Sequence, residues 1–192
     1  MIRLTRDKTA FLCCDIQQIF KKTIFQFEHV AKTASLMIKA AHVLKIPVVV
    51  SEQYPEKLGR TYEAIDIKNC HIYSKTDFSM ITNEFPREVL SEKQAFVLFG
   101  IETHVCVQQT ALDLLEKGKS VILVTDGVSS SRPLDRSTAI QRLNHAGAVV
   151  MTAEAVMFEI MRTKNCPEFR EISGIAKEIA ANFAISQTLS TL

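Results

Sequence analysis

Thr9-Ala10-Phe11-Leu12-Cys13-Cys14-Asp15-Ile16 is a nearly unbroken apolar run with an acid close to its end. A strand with one wet face would alternate apolar and polar residues. An unbroken run reads as a strand buried on both faces, as in a parallel sheet. Outward from it, strand-like and helix-like segments take turns. Apolar residues at Val30, Ala34, Met37, Ile38, Ala41 and Leu44 keep a helical period from about Phe27 to Leu44. Ile46 to Ser51 is the next buried strand, Glu52 to Gly59 a polar loop, and Cys70 to Tyr73 a short strand. A helix over Phe85–Leu90 precedes the strand Ala95–Phe99, which Gly100 closes. Then come a helix over Thr103–Glu116, a strand over Val121–Val124, a helix over Asp135–Ala146 and a strand over Ala148–Met151. The remainder from about Ala153 reads as mostly helix. Six strands with intervening helices predict an α/β fold, an open and mostly parallel sheet covered on both faces. No linker, repeat or low-complexity segment divides residues 1–192, so a single domain is expected.

Composition narrows the function classes. Of 192 residues, 47% are hydrophobic and 23% charged, typical of a globular domain, and a chain this long needs no disulfide or metal to stay folded. Lys plus Arg (23) nearly balance Asp plus Glu (21), leaving +2, no electrostatic footprint for nucleic acid or an acidic membrane. No apolar run is long enough to span a bilayer, and Met1 to Lys8 lacks the apolar stretch of a signal peptide. The five cysteines are an odd number without zinc spacing, which predicts a reducing, cytoplasmic setting and no structural metal.

In open α/β sheets, ligands sit at the carboxyl ends of the strands. Asp15, Ser51-Glu52-Gln53, Lys75, Gly100 to Cys106 and Asp126 follow successive strands. With Thr103 read as an N-cap, Cys106 falls at about the third helical position, facing unpaired N–H groups and the positive dipole end. That setting favours a thiolate nucleophile; the alternative is a small hydrophobe packed at a helix start. Asp15 reads either as a buried base or as a cap on the next turn. Lys75, in the loop Ser74–Ser79, reads as a solvated lysine or as a cation beside the thiol. His104 lies two residues before Cys106 on a helix and so points roughly away from it.

Asp15 after its apolar strand, Lys75 in Lys-Thr-Asp-Phe-Ser-Met, and Gly100-Ile101-Glu102-Thr103-His104-Val105-Cys106-Val107-Gln108-Gln109-Thr110-Ala111 resemble the isochorismatase-like cysteine hydrolases. The resemblance covers about residues 8–160, leaving a C-terminal helical extension. The loop Glu52-Gln53-Tyr54-Pro55-Glu56-Lys57-Leu58-Gly59 is similar to the branch called isochorismatase domain-containing proteins. The resemblance implies a Rossmann-like three-layer sandwich. It implies Asp15 as base, Lys75 as cation and Cys106 as nucleophile, with a cis Ile101–Glu102 peptide. The N–H groups of Glu102 and Cys106 would form an oxyanion hole. Hydrolysis of a small amide or ester through a thioester would follow, with Phe20, Gln53, Tyr54, Phe78 and His104 lining the substrate site by loop position.

Related nicotinamidases carry histidine metal ligands after the second strand, where this chain has Ser51-Glu52-Gln53-Tyr54. The expectation is therefore a metal-independent enzyme without cofactor. Cys106 also argues against isochorismate, whose vinyl ether needs no thiol. The expected partners are a small-molecule substrate and further copies of the chain, as a dimer or tetramer. Two other classes compete: an interaction protein that keeps the three residues without turnover, and a nuclease. Net +2 and the absence of Trp disfavour the nuclease.

Overall fold

A computed structural model describes residues 3–185. β1 (Thr9–Cys14), β2 (Val48–Gln53), β3 (His71–Lys75), β4 (Ala95–Gly100), β5 (Ser120–Val128) and β6 (Val149–Met151) form one sheet, in the order β3-β2-β1-β4-β5-β6. Every pairing between these strands is parallel. The strand order reverses between β1 and β4, where two outward-winding halves meet, and the carboxyl ends of the strands open a crevice there.

The unbroken apolar runs are explained by two cores, one on each face. From β1, Phe11 and Cys13 enter the larger core with Val48, Val97, Phe99 and Ile122. Ala10, Leu12 and Cys14 enter the other with Val49, Phe96, Leu98 and Leu123. The larger core is closed by α1 (Phe27–Val43), α6 (Ala153–Met161) and α7 (Phe169–Ile185) through residues such as Met37, Val156 and Ile172. The opposite core is closed by α3 (Arg87–Glu92), α4 (Gln108–Glu116) and α5 (Pro133–His145) through Val89, Leu114 and Leu143. Each side chain of the central strands β1 and β4 thus meets apolar neighbours whichever way it points, which only a three-layer arrangement allows.

The structure departs from the sequence reading in several places, each with a local cause. The stretch read as a polar loop carries the end of β2 and one turn of helix, α2 (Pro55–Leu58), because Pro55 is preset for a first helical position. A short 3-10 helix, Gln18–Lys22, follows β1. Lys75 is the last residue of β3 rather than part of a loop, since its neighbour Gln53 extends β2 to meet it. Asp126 lies within β5, which runs on to Val128, and its carboxylate accepts from Ala153 N at 2.8 Å to start α6. Asp126 is therefore an architectural acid. Thr103 is not the N-cap: Glu102 holds that place with extended φ/ψ (−80°, 141°), and Thr103 is buried in the first turn. That turn, Thr103–Val107, is π-helical and only then becomes α4.

Gly100 closes β4 at φ +130°, and a Cβ there would lie 2.1 Å from Cys14 O. Only glycine allows β4 to turn while β1 presses this close. The next peptide, Ile101–Glu102, is cis.

Candidate active site

Asp15 enters directly from β1, at φ 51°. Its Oδ2 accepts from Lys75 Nζ at 2.7 Å and its Oδ1 from Ser51 Oγ at 2.7 Å. The Lys75 and Asp15 side chains are 0% and 3% exposed. The pair reaches across β2, which separates β1 from β3, and β2 supplies two polar groups beneath it. Ser51 binds the acid, and Gln53 Oε1 accepts from Lys75 Nζ at 2.6 Å. Two carbonyls of the following loop complete the cage, Asp77 O at 3.1 Å and Phe78 O at 3.0 Å from Nζ.

This cage decides what Lys75 can do. An ammonium has three N–H bonds, and here four oxygens compete for them. The group therefore acts on its surroundings as a fixed positive charge, not as a hydrogen-bond donor to an incoming molecule. Burial works against the charged form. The neighbouring acids Cys14, Asp15 and Cys106 outweigh it and carry the Lys75 pKa above the ordinary lysine value.

Cys106 is buried in the π-helical turn, on the same face of the sheet as Cys14. The Cys14 thiol donates to Asp15 Oδ2 at 3.5 Å and neighbours Cys106. Burial first, then Cys106 and the charge of Asp15, push the Cys14 thiol far above its usual range. Asp15, Lys75 and Cys106, chosen from the sequence at the ends of three strands, are thus gathered at one place. A π-turn inserted ahead of an α-helix is a frequent device at functional sites, because it re-aims one side chain. Ile101 N donates to Cys14 O at 2.9 Å and Thr103 N to Ser129 O at 2.9 Å. The Glu102 N–H between them has no acceptor among the described residues.

The five lining candidates separate. Gln53 belongs to the Lys75 cage, and Phe78 contributes its carbonyl there while its ring is exposed. Tyr54 lines a cavity of about 500 Å³ with Glu56, Asp77, Thr82, Asn83 and Glu84. That cavity touches Lys75 but neither Asp15 nor Cys106. Phe20 packs half-buried against the larger core, away from Cys106's face of the sheet. His104 turns to the β5–α5 loop, with Nδ1 3.0 Å from Ser130 Oγ and the carboxylates of Glu102 and Asp135 beyond at 3.6 and 3.9 Å.

Sequence reasoning missed the roles of Ser51 and of Gln17. Gln17 is fully buried, and its side chain binds Gln53 N, Gln53 O and Gly59 O at 2.7, 2.9 and 2.6 Å, clamping the end of β2. The available signal for Gln17 was its polarity beside the apolar run that ends β1. Among the described residues no group of three His, Cys, Asp or Glu stands together as a metal site, and Glu52 is taken by Arg60 and Thr61. No helix among the described residues is long and apolar enough to cross a membrane.

A six-stranded parallel sheet in the order 3-2-1-4-5-6, covered by helices on both faces, is an isochorismatase-like α/β fold. The isochorismatase domain family matches residues 9–155, and the chain belongs to that family. It is 40% identical over 175 residues to isochorismatase domain-containing protein 1 of Salmo salar, covering 90% of this chain and 62% of that one. The chain therefore spans about three fifths of that relative's length. It is 38% identical to the secreted isochorismatase effector Isc1 of Phytophthora sojae, over 92% of this chain and 88% of the other. Among solved structures, the MAR1 ribonuclease of Caenorhabditis elegans superposes with a TM-score of 0.88 at 37% identity, covering 91% and 92% of the two chains.

Proposed function

We propose that this chain is a metal-independent cysteine hydrolase that cleaves a small amide or ester. Asp15 takes the proton of the Cys106 thiol, and the thiolate sulfur attacks the carbonyl carbon. The N–H groups of Glu102 and Cys106 receive the oxyanion, and Lys75 keeps the site's charge balanced throughout. Collapse of the tetrahedral species breaks the C–N or C–O bond, and protonated Asp15 delivers its proton to the leaving amine or alcohol. Asp15 then draws a proton from water, whose oxygen attacks the thioester carbonyl. The acid product leaves with Cys106 regenerated.

The observation that carries this reading is the dry Lys75–Asp15 pair at 2.7 Å, with Cys106 beside it. A buried ion pair on its own is weak evidence for stability. Its placement at the carboxyl ends of β1 and β3, against a thiol at the start of a helix, is what chemistry at this position requires. The test is hydrolysis of a panel of small amides and esters by chelator-treated protein, with Cys106→Ala as control. Turnover that survives chelation and disappears in Cys106→Ala supports the reading. Turnover by Cys106→Ala, or activity that returns only with added metal, overturns it.

Cleavage of RNA is a second reading, favoured by one observation, that the Caenorhabditis elegans neighbour is described as a ribonuclease. The residues here weigh against it: Lys75 is enclosed in oxygens, and the chain's net charge is only +2. An RNA arm in the same panel, again with Cys106→Ala, separates the two chemistries.

A further inference from the structure

We infer that Thr110 is a positioning residue, the bolt that fixes Cys106 relative to the cage around Lys75. The inference rests on the reading of Cys106 as nucleophile. Thr110 is fully buried near the start of α4. Its Oγ1 donates to Cys106 O at 2.7 Å and accepts from Met80 N at 2.9 Å. The first partner lies in the turn that carries the thiol. The second lies two residues beyond Phe78, whose carbonyl holds Lys75 Nζ, as does that of Asp77.

These contacts form a continuous path from Lys75 through Asp77 and Phe78 to Met80, then through one hydroxyl to Cys106. Otherwise the two halves of the site come from β3 and from the segment after β4, with β2 and β1 between them in the sheet. A hydroxyl is the side-chain group that does this most economically. It donates once and accepts at the same atom, so one residue satisfies a buried carbonyl and a buried N–H together. A helical threonine can donate to the carbonyl four residues back, and here that carbonyl belongs to the residue that carries the thiol. Thr110 therefore ties the irregular turn to the loop that cages the ammonium.

Thr110→Val keeps shape and removes both bonds; Thr110→Ser keeps both bonds and removes a methyl group. The assay is timed iodoacetamide labelling of the full chain near neutral pH, read at each cysteine by peptide mass spectrometry. Half-buried Cys70 serves as internal control. A shift of about 1 Å between reacting groups costs up to about a hundredfold in rate. Labelling of Cys106 in Thr110→Val is thus expected to slow about ten- to a hundredfold, with Cys70 unchanged and Cys13 and Cys14 still protected. Thr110→Ser is expected to label within about twofold of wild type. A merely structural threonine would give the opposite pattern, with faster labelling of the buried thiols and no selective loss at Cys106. Wild-type labelling of Cys106 in Thr110→Val, or labelling in Thr110→Ser that is slow at Cys106, overturns the inference. If Thr110→Val loosens the whole fold, Thr110→Ser still decides by the same criterion. A wild-type Cys106 that is itself inert overturns the nucleophile reading, and this inference with it.

Discussion

Removing one partner of the Lys75–Asp15 pair is expected to cost far more than half of removing both. At 2.7 Å the direct attraction is about 6 kcal/mol with an effective dielectric of 20. Desolvation of two ions, at several kcal/mol each, opposes it. The native pair is therefore close to neutral in net stability, but each charge alone is a liability. In Lys75→Met, Asp15 keeps its bonds from Ser51 and Cys14 but faces the interior without a countercharge, while Gln53 Oε1 and the carbonyls of Asp77 and Phe78 lose their donor. The expected loss is about 3–5 kcal/mol. Asp15→Asn, which leaves the ammonium caged by three neutral oxygens, should lose about 2–4 kcal/mol. The double variant should lose less than the sum of the two, by a coupling of about 3 kcal/mol. Urea denaturation of the four proteins at neutral pH gives the cycle directly. Additive losses, with a coupling below about 0.5 kcal/mol, would refute the claim that these charges meet in a dry site.

Three further outcomes follow from the same geometry. The acids around Lys75 outweigh burial and raise its pKa in the folded state, so its contribution is complete below the unfolded value of about 10.4 and is lost as pH rises through the folded one. The stability gap between wild type and Lys75→Met should be flat from pH 7 to about 10 and narrow above that; urea midpoints against pH would show it, and a gap closing near pH 8 would contradict it. In native protein, iodoacetamide should label Cys106 first, because burial shuts away Cys13 and Cys14 and pushes the Cys70 thiol up to about 11. Preferential labelling of Cys70 or Cys166 would contradict that order. Gly100→Ala should cost about 4 kcal/mol or more, since its Cβ would sit 2.1 Å from Cys14 O at the centre of the sheet; an unchanged denaturation midpoint would argue against the close approach of β1 and β4.

The layered fold could be read from the sequence because burial on both faces leaves a compositional trace. Thr9 to Cys14 and Ala95 to Phe99 have no polar side to show, and they are the two strands at the centre of the sheet. Asp15 stood out because it ends such a run, and Lys75 and Cys106 because each follows a strand. Ser51 and Thr110 left no such trace. A serine at the end of a strand and a threonine in a helix are ordinary, and their partners are fixed by strand register and by a loop that returns from far along the chain. The placement of Thr103 failed for a related reason. N-cap preference is a local rule, and the cis Ile101–Glu102 peptide and the π-turn are set by what packs around them. The partners of His104, Ser130 and the carboxylates of Glu102 and Asp135, come from outside its own turn or depend on the cis peptide, so spacing did not encode them. The lining positions of Phe20 and Phe78 depended on where loops fold, which spacing does not encode.

The position of β2 between β1 and β3 has a consequence for how the proposed site is assembled. Asp15 and Lys75 belong to strands that are not neighbours, and the contact between them passes over Ser51 and Gln53 of the strand in the middle. A nascent or partly unravelled chain with β1 and β4 paired already holds its acid and its thiol, yet lacks the ammonium until the outermost strand has docked. β3 is five residues long and lies at one margin of the sheet with most of its side chains open to water, so it is held less firmly than the central strands. Under the proposed mechanism, reactivity at the thiol is thereby tied to completion of that half of the sheet. An incompletely folded chain carries the sulfur but not the field that would make it a nucleophile.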